Sequence, residues 1–162
     1  MTTTLITGAS SGIGHALVKL FAAGGDNVAL TARSEGTLNE LGNSLQQLHN
    51  ITATIIPFDL SKLEQVDQLC DRLHERGIEI DTVVNNAGFG VLGKFADLSV
   101  DRQTDMLMVN IVAPTRLIRK LLAAMLHRRT GGILNVGSIA AYQAGPNMAV
   151  YSRSNAPVHI FD

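Results

Sequence analysis

A short apolar run, Thr3–Thr7, leads straight into Thr7-Gly8-Ala9-Ser10-Ser11-Gly12-Ile13-Gly14, and a helix-periodic segment follows. This order constrains the chain more than any other feature. A strand that passes into a helix through a glycine-rich turn leaves backbone N–H groups at a helix N-terminus, where the helix dipole adds partial positive charge. Glycines lack a Cβ, so an anionic group such as a pyrophosphate can approach that backbone closely. Such turns recur in many α/β proteins, so the octet alone does not name a ligand.

The rest of the chain repeats the alternation. Ile13, Ala16, Leu17, Leu20 and Phe21 fall at helical spacing, and Gly24-Gly25 ends that helix. Asn27–Thr31, Ile51–Phe58, Ile80–Asn85 and Ile133–Gly137 read as further strands. Between them lie a helix marked by Leu38, Leu41, Leu45 and Leu48, a helix that Ser61 is expected to cap, and one long helix from about Ser99 to Arg128. Another helix starts near Val150. Near-continuous apolar strands, each followed by a helix, imply a parallel sheet covered on both faces. With right-handed crossovers this gives an α/β fold, a Rossmann-like doubly wound parallel sheet with helices on both faces, its ligand site at the carboxyl ends of the strands. We expect one such dinucleotide-binding domain over residues 1–162.

Composition narrows the function. The 162 residues carry 13 Lys and Arg against 14 Asp and Glu, a net charge of −1, so no basic field points to nucleic acid. The single cysteine, Cys70, excludes an internal disulfide and a cysteine-based metal site, and its helical neighbours Val66, Leu69 and Leu73 point to a buried structural thiol. No metal is expected. No apolar stretch of about 18 residues suggests a membrane span. Met1–Thr4 runs directly into the first strand and leaves no room for a signal peptide, so a cytoplasmic setting is the expectation. No Gly-Lys-Ser/Thr follows the glycine turn, which argues against a P-loop hydrolase.

The glycines stand at Gly8, Gly12 and Gly14, a Thr-Gly-x-x-x-Gly-x-Gly spacing with Ser10, Ser11 and Ile13 between them. Asp59-Leu60 ends the third strand and Asn85-Asn86-Ala87-Gly88 the fourth. Asn110 sits within the long helix, Ser138 follows the fifth strand and Tyr151 lies beyond it. Taken alone, each residue has a plainer reading: Asp59 as the cap of a turn, Asn85 and Asn86 as strand ends, Asn110 as a satisfied core amide, Ser138 as one more loop serine. Together and in this order they resemble the short-chain dehydrogenase/reductase family over the whole chain. The resemblance implies cofactor binding by Gly8, Ser10, Ser11, Gly12, Ile13, Gly14, Asp59, Leu60, Asn86, Ala87, Gly88 and Tyr151. Arg33 ends the second strand segment, with no acid in Leu30-Thr31-Ala32 before it. An arginine there pairs with the 2′-phosphate of NADP, so NADP is expected in preference to NAD. The alternative is an exposed arginine stacked on adenine that discriminates neither cofactor.

In that family a serine, a tyrosine and a lysine carry the chemistry, aided by an asparagine. The resemblance assigns Tyr151 as the general acid toward a carbonyl oxygen, or the base in the reverse direction. It assigns Ser138 as that oxygen's hydrogen-bond partner and Asn110 as the holder of a relay water. The implied activity is NADP-dependent hydride transfer to or from a small-molecule carbonyl or alcohol, by a homo-oligomer that uses no nucleic acid or membrane. Segments Leu92–Asp97 and Tyr142–Asn147 are expected to border the substrate.

Three features depart from the family pattern. A free tyrosine has a pKa near ~10, and the family's lysine, one turn after the tyrosine, lowers it; Tyr151-Ser152-Arg153-Ser154-Asn155 puts Asn155 at that position. Arg153, at i+2, points to another helix face. Pro157 falls in the expected helix interior, where proline costs ~3 kcal/mol or more. The sequence stops at Asp162, before the segments with which the family closes its substrate pocket. A truncated chain, impaired in turnover and prone to self-association through a bare sheet edge, is the alternative expectation.

Overall fold

The structure, a computed structural model, describes residues 1–143 and 145–155. Five strands, β1 (Thr3–Thr7), β2 (Asn27–Thr31), β3 (Ala53–Ile55), β4 (Thr82–Asn85) and β5 (Gly132–Asn135), form one sheet in the order β3-β2-β1-β4-β5, every pairing parallel. Register sets Leu5 beside Ala29 and Val83, and Ile6 beside Leu30 and Val84. Successive side chains in a strand point to opposite faces, so these neighbours feed two separate cores. Leu5, Ala29 and Val83 pack with Val66, Leu69 and Leu73 of α3 (Leu63–Glu75) and Leu117 of α5 (Ala113–Arg128). Ile6, Leu30 and Val84 pack with Val18 of α1 (Gly12–Ala23) and Leu38, Leu41 and Leu45 of α2 (Glu35–His49). The sheet is therefore doubly wound, with helices on both faces.

Some elements differ from their sequence outlines. The third strand is cut to Ala53–Ile55: Ile56 N still donates to Leu30 O at 3.0 Å, but Pro57 has no N–H with which to extend the ladder. Ser61 does not cap α3. Its own N–H is held by Asp59 Oδ1 at 3.0 Å, and the helix begins after Lys62. The long helix is three pieces: α4 (Val100–Leu107), a π-helical turn over Met108–Val112, and α5. Pro114 supplies the reason. It cannot donate to the carbonyl four residues back, that of Asn110, and the ladder widens there, with Ala113 N bonded to Met108 O. A last helix, α6 (Ala149–Asn155), carries Tyr151. Pro157 and the side chain of Asn155 lie outside the described residues.

Cys70 is buried and free, and burial pushes its thiol up to about 11. Beside it, α3 and α5 are bolted together on their outer side. Arg116 donates from Nε and Nη2 to the two carboxylate oxygens of Asp67 at 2.6 Å each, and Lys120 Nζ lies 3.0 Å from Oδ1. Hydrogen bonds from Arg116 and Lys120 hold the Asp67 carboxyl well below its ordinary value of 3.8. A carboxyl lowered in the folded state stabilises fully above its unfolded value, and that contribution is lost as pH falls through the folded one. Thermal unfolding followed against pH should therefore show a decline below the ordinary carboxylate range that Asp67→Asn makes shallower, the variant also being the less stable protein at neutral pH.

Candidate functional site

The glycine turn is built against the end of β4. Thr7 Oγ1 accepts the N–H groups of Asn86 (3.0 Å) and Ala87 (2.9 Å) and donates to Val84 O (3.3 Å). The Asn86 amide donates back to Thr7 O (3.0 Å) and Gly8 O (3.3 Å). This stitch leaves no room at Gly14, where a Cβ would lie 2.3 Å from both Gly8 O and Asn86 Nδ2. Gly12 is glycine for a different reason. Its φ of +54° disfavours any side chain, and nothing stands within 4 Å of where a Cβ would be. One glycine admits the neighbouring loop and the other leaves the turn open to a ligand.

A cleft of about 780 Å³ runs along the carboxyl ends of the strands. Gly8, Ser10, Ser11, Gly12 and Ile13 form one wall, at the N-terminus of α1. Arg33, exposed, stands past β2, and Asp59 and Leu60 past β3. Leu60 is mostly core, at 6% exposure, and Asp59 also makes the turn that a plain reading expected, accepting from Ser61 N. Asn86, Ala87 and Gly88 line the cleft past β4, and Asn110 and Tyr151 complete it. Thus the cleft collects all the residues assigned from the sequence except Gly14, which packs behind the turn, and Ser138. The Ser138 hydroxyl accepts from Ala140 N at 3.2 Å and caps a short 3-10 turn, Ile139–Ala141, while Val136 and Gly137 just before it face the cleft.

The π turn determines what Asn110 does. Its side chain is buried, its Oδ1 accepts from Phe89 N (3.1 Å), and its Nδ2 donates to Phe89 O (3.1 Å) and to Ser154 Oγ (2.9 Å). Sequence reasoning did not find Phe89, Arg102 or Ser154. Arg102 stacks over the Phe89 ring, 4.8 Å from its centroid, at the cleft wall. Pro114 was the available signal, because a proline inside a long helix marks where side chains are redirected. Among the described residues no cluster of His, Cys, Asp or Glu is placed to hold a metal ion, and no helix is long and apolar enough to cross a membrane.

The profile of the family described as short chain dehydrogenase matches residues 2–161. The chain belongs to the short-chain dehydrogenase/reductase family. It is 32% identical over 155 residues to an uncharacterized oxidoreductase of Staphylococcus aureus (strain MRSA252), covering 96% of this chain and 66% of that protein. Among solved structures it resembles the bulky-bulky ketone specific alcohol dehydrogenase of Comamonas testosteroni (TM-score 0.91, 32% identity, 98% of this chain and 63% of that one). It likewise resembles a short-chain dehydrogenase of Sphingobium yanoikuyae in complex with NADPH (TM-score 0.91, 30% identity, 98% and 61%). The chain thus spans just under two thirds of the length of these proteins.

The Thr7 stitch is testable without a ligand. Thr7→Val keeps the shape but strands two half-buried N–H groups and removes a donor from Val84 O, which should cost about 1–3 kcal/mol in denaturant unfolding, whereas Thr7→Ser, which keeps the hydroxyl, should stay near the parent.

Proposed function

We propose that the cleft binds NADP(H) and serves oxidoreduction of a small-molecule carbonyl or alcohol. The observation that carries this is one cleft joining the open glycine turn, Arg33, Asp59 and Tyr151. The cleft suits a dinucleotide in kind as well as in size, sites of this type occupying roughly 300–1,000 Å³. Gly12 leaves backbone room for a phosphate, and the Ser10 and Ser11 hydroxyls flank it. Thr31, whose buried Oγ1 has no partner among the described residues, also lines the cleft. The NADPH complex of the Sphingobium relative supports the same class of ligand.

Arg33 then pairs with the 2′-phosphate through charge-assisted N–H donors. When bound, the nicotinamide supplies or takes the hydride. Tyr151 delivers the proton to the substrate oxygen from its phenol, and Ser138, already accepting from Ala140 N, turns its hydroxyl hydrogen toward that oxygen. Asn110 serves in this reading by holding the loop at Phe89 and, through Ser154, α6. The second reading, a nucleotide-binding chain with weak turnover, is favoured by one feature, the neutral Asn155 where the family carries a lysine. Self-association through exposed apolar side chains such as Leu134 belongs to the same reading.

Titration calorimetry tests the binding. NADPH should bind more tightly than NADH, and Arg33→Ala should remove that preference, a loss of about tenfold or more in NADPH affinity with NADH unchanged. Failure of both cofactors to bind would overturn the proposal. Asn155→Lys should raise the rate of carbonyl reduction without tightening NADPH by a comparable factor; a rate left at background favours the second reading.

A further inference from the structure

Tyr151 is held in a closed loop of contacts that passes through a residue outside the family's catalytic set. The Ser154 hydroxyl is fully buried. It has one hydrogen, and that goes to Tyr151 O, one turn back on α6, at 2.9 Å. Spending the hydrogen there turns the oxygen's lone pairs toward Asn110, whose Nδ2 donates to them at 2.9 Å. The rest of the Asn110 amide is a two-point clamp on Phe89, Oδ1 taking the N–H and Nδ2 reaching the carbonyl, both at 3.1 Å. Clamping Phe89 places the next residue, Gly90, and the Tyr151 ring packs against its bare side. A Cβ on Gly90 would sit 3.0 Å from Cδ2 and 3.2 Å from Cε2 of that ring.

We infer that Ser154 is a positioning residue for Tyr151, fixing the tyrosine's backbone from Asn110 while the same amide, through Phe89 and Gly90, fixes its ring. This deepens the reading of Tyr151 as proton donor and rests on it. α6 is described over seven residues, Ala149–Asn155, and helices in proteins take most of their stability from packing. Its orientation therefore depends on tertiary bonds, and this buried hydroxyl ties it directly to the π turn. The π turn is what makes the bond available, because it presents Asn110 inward at a level where α4 and α5 meet. A small displacement of α6 would shift the phenol relative to a substrate oxygen without disturbing the glycine turn at the other wall of the cleft. Such an effect falls on turnover and not on cofactor affinity.

The sequence offers a direct reporter. The chain has no tryptophan and two tyrosines, Tyr142 and Tyr151. In a Tyr142→Phe background the near-ultraviolet circular dichroism attributable to a phenol comes from Tyr151 alone. In that background Ser154→Ala should reduce this signal strongly and lower kcat about tenfold or more, with NADPH affinity and cofactor KM within about twofold of the parent. Ser154→Thr, which keeps the hydroxyl, should restore the signal and kcat. Gly90→Ala, which presses the ring from the opposite side, should change the same signal with Ser154 intact.

An unaltered Tyr151 signal in Ser154→Ala overturns the inference, as does a loss of NADPH affinity as large as the loss of kcat, which would mark a general role in folding. If the parent binds no NADPH, the proposed function fails while the dichroism still decides whether Ser154 positions Tyr151.

Discussion

The Thr7 hydroxyl closes the region where a parallel sheet is least able to satisfy itself. Beyond the last ladder bond, backbone N–H and carbonyl groups still need partners, and the loops that follow adjacent strands diverge toward different helices. At the junction of β1 and β4 one side chain meets the demand, accepting two amides and giving its hydrogen to a carbonyl. Asn86 completes the exchange in the other direction. Everything at the cleft depends on this arrangement. It fixes the height of the glycine turn against the β4 loop, makes Gly14 obligatory, and lets Gly12 face open space. It also sets the path by which Ala87 and Gly88 reach Phe89, so the same stitch links the glycine turn to the Asn110 clamp on Phe89.

Much of the fold was legible because its causes are local and repetitive. β1 and β2 have the bounds read from their apolar runs, and the two helical faces were visible as leucine spacing in 38–45 and 66–73. The glycine turn was legible because its residue types answer to backbone geometry. What escaped were outcomes settled by partners distant in sequence. Ser61 looked like a cap, yet the Asp59 carboxylate took its amide. Ile51–Phe58 looked like eight strand residues, but an end strand with a proline keeps only the part its neighbour can pair. At the site, Asn110 and Tyr151 were legible through their order along the chain. Ser154 was not, since a serine on a short helix carries no mark until the fold places an amide beside it. Ser138 shows the reverse. Its neighbours face the cleft, while its own oxygen is occupied by the turn that it caps.

The π turn between α4 and α5 also bears on how such a site tolerates change in length. A π turn holds one residue more than the α-helical path that joins the same two ends. Removing a single residue from Met108–Val112 would restore a regular helix and leave composition and apolar content almost unaltered. It would leave α4 and α5 facing as they do, since the same two ends are joined, and would turn only the residues between them. Met106 and Gln103 would stay buried on α4, as would Leu117 and Ile118 on α5, but the Asn110 amide would leave Phe89 and Ser154. In this family member the placement of the Asn110 amide is therefore held as a count of residues, one more than a regular helix needs, and is exposed to a one-residue deletion that the flanking core would tolerate.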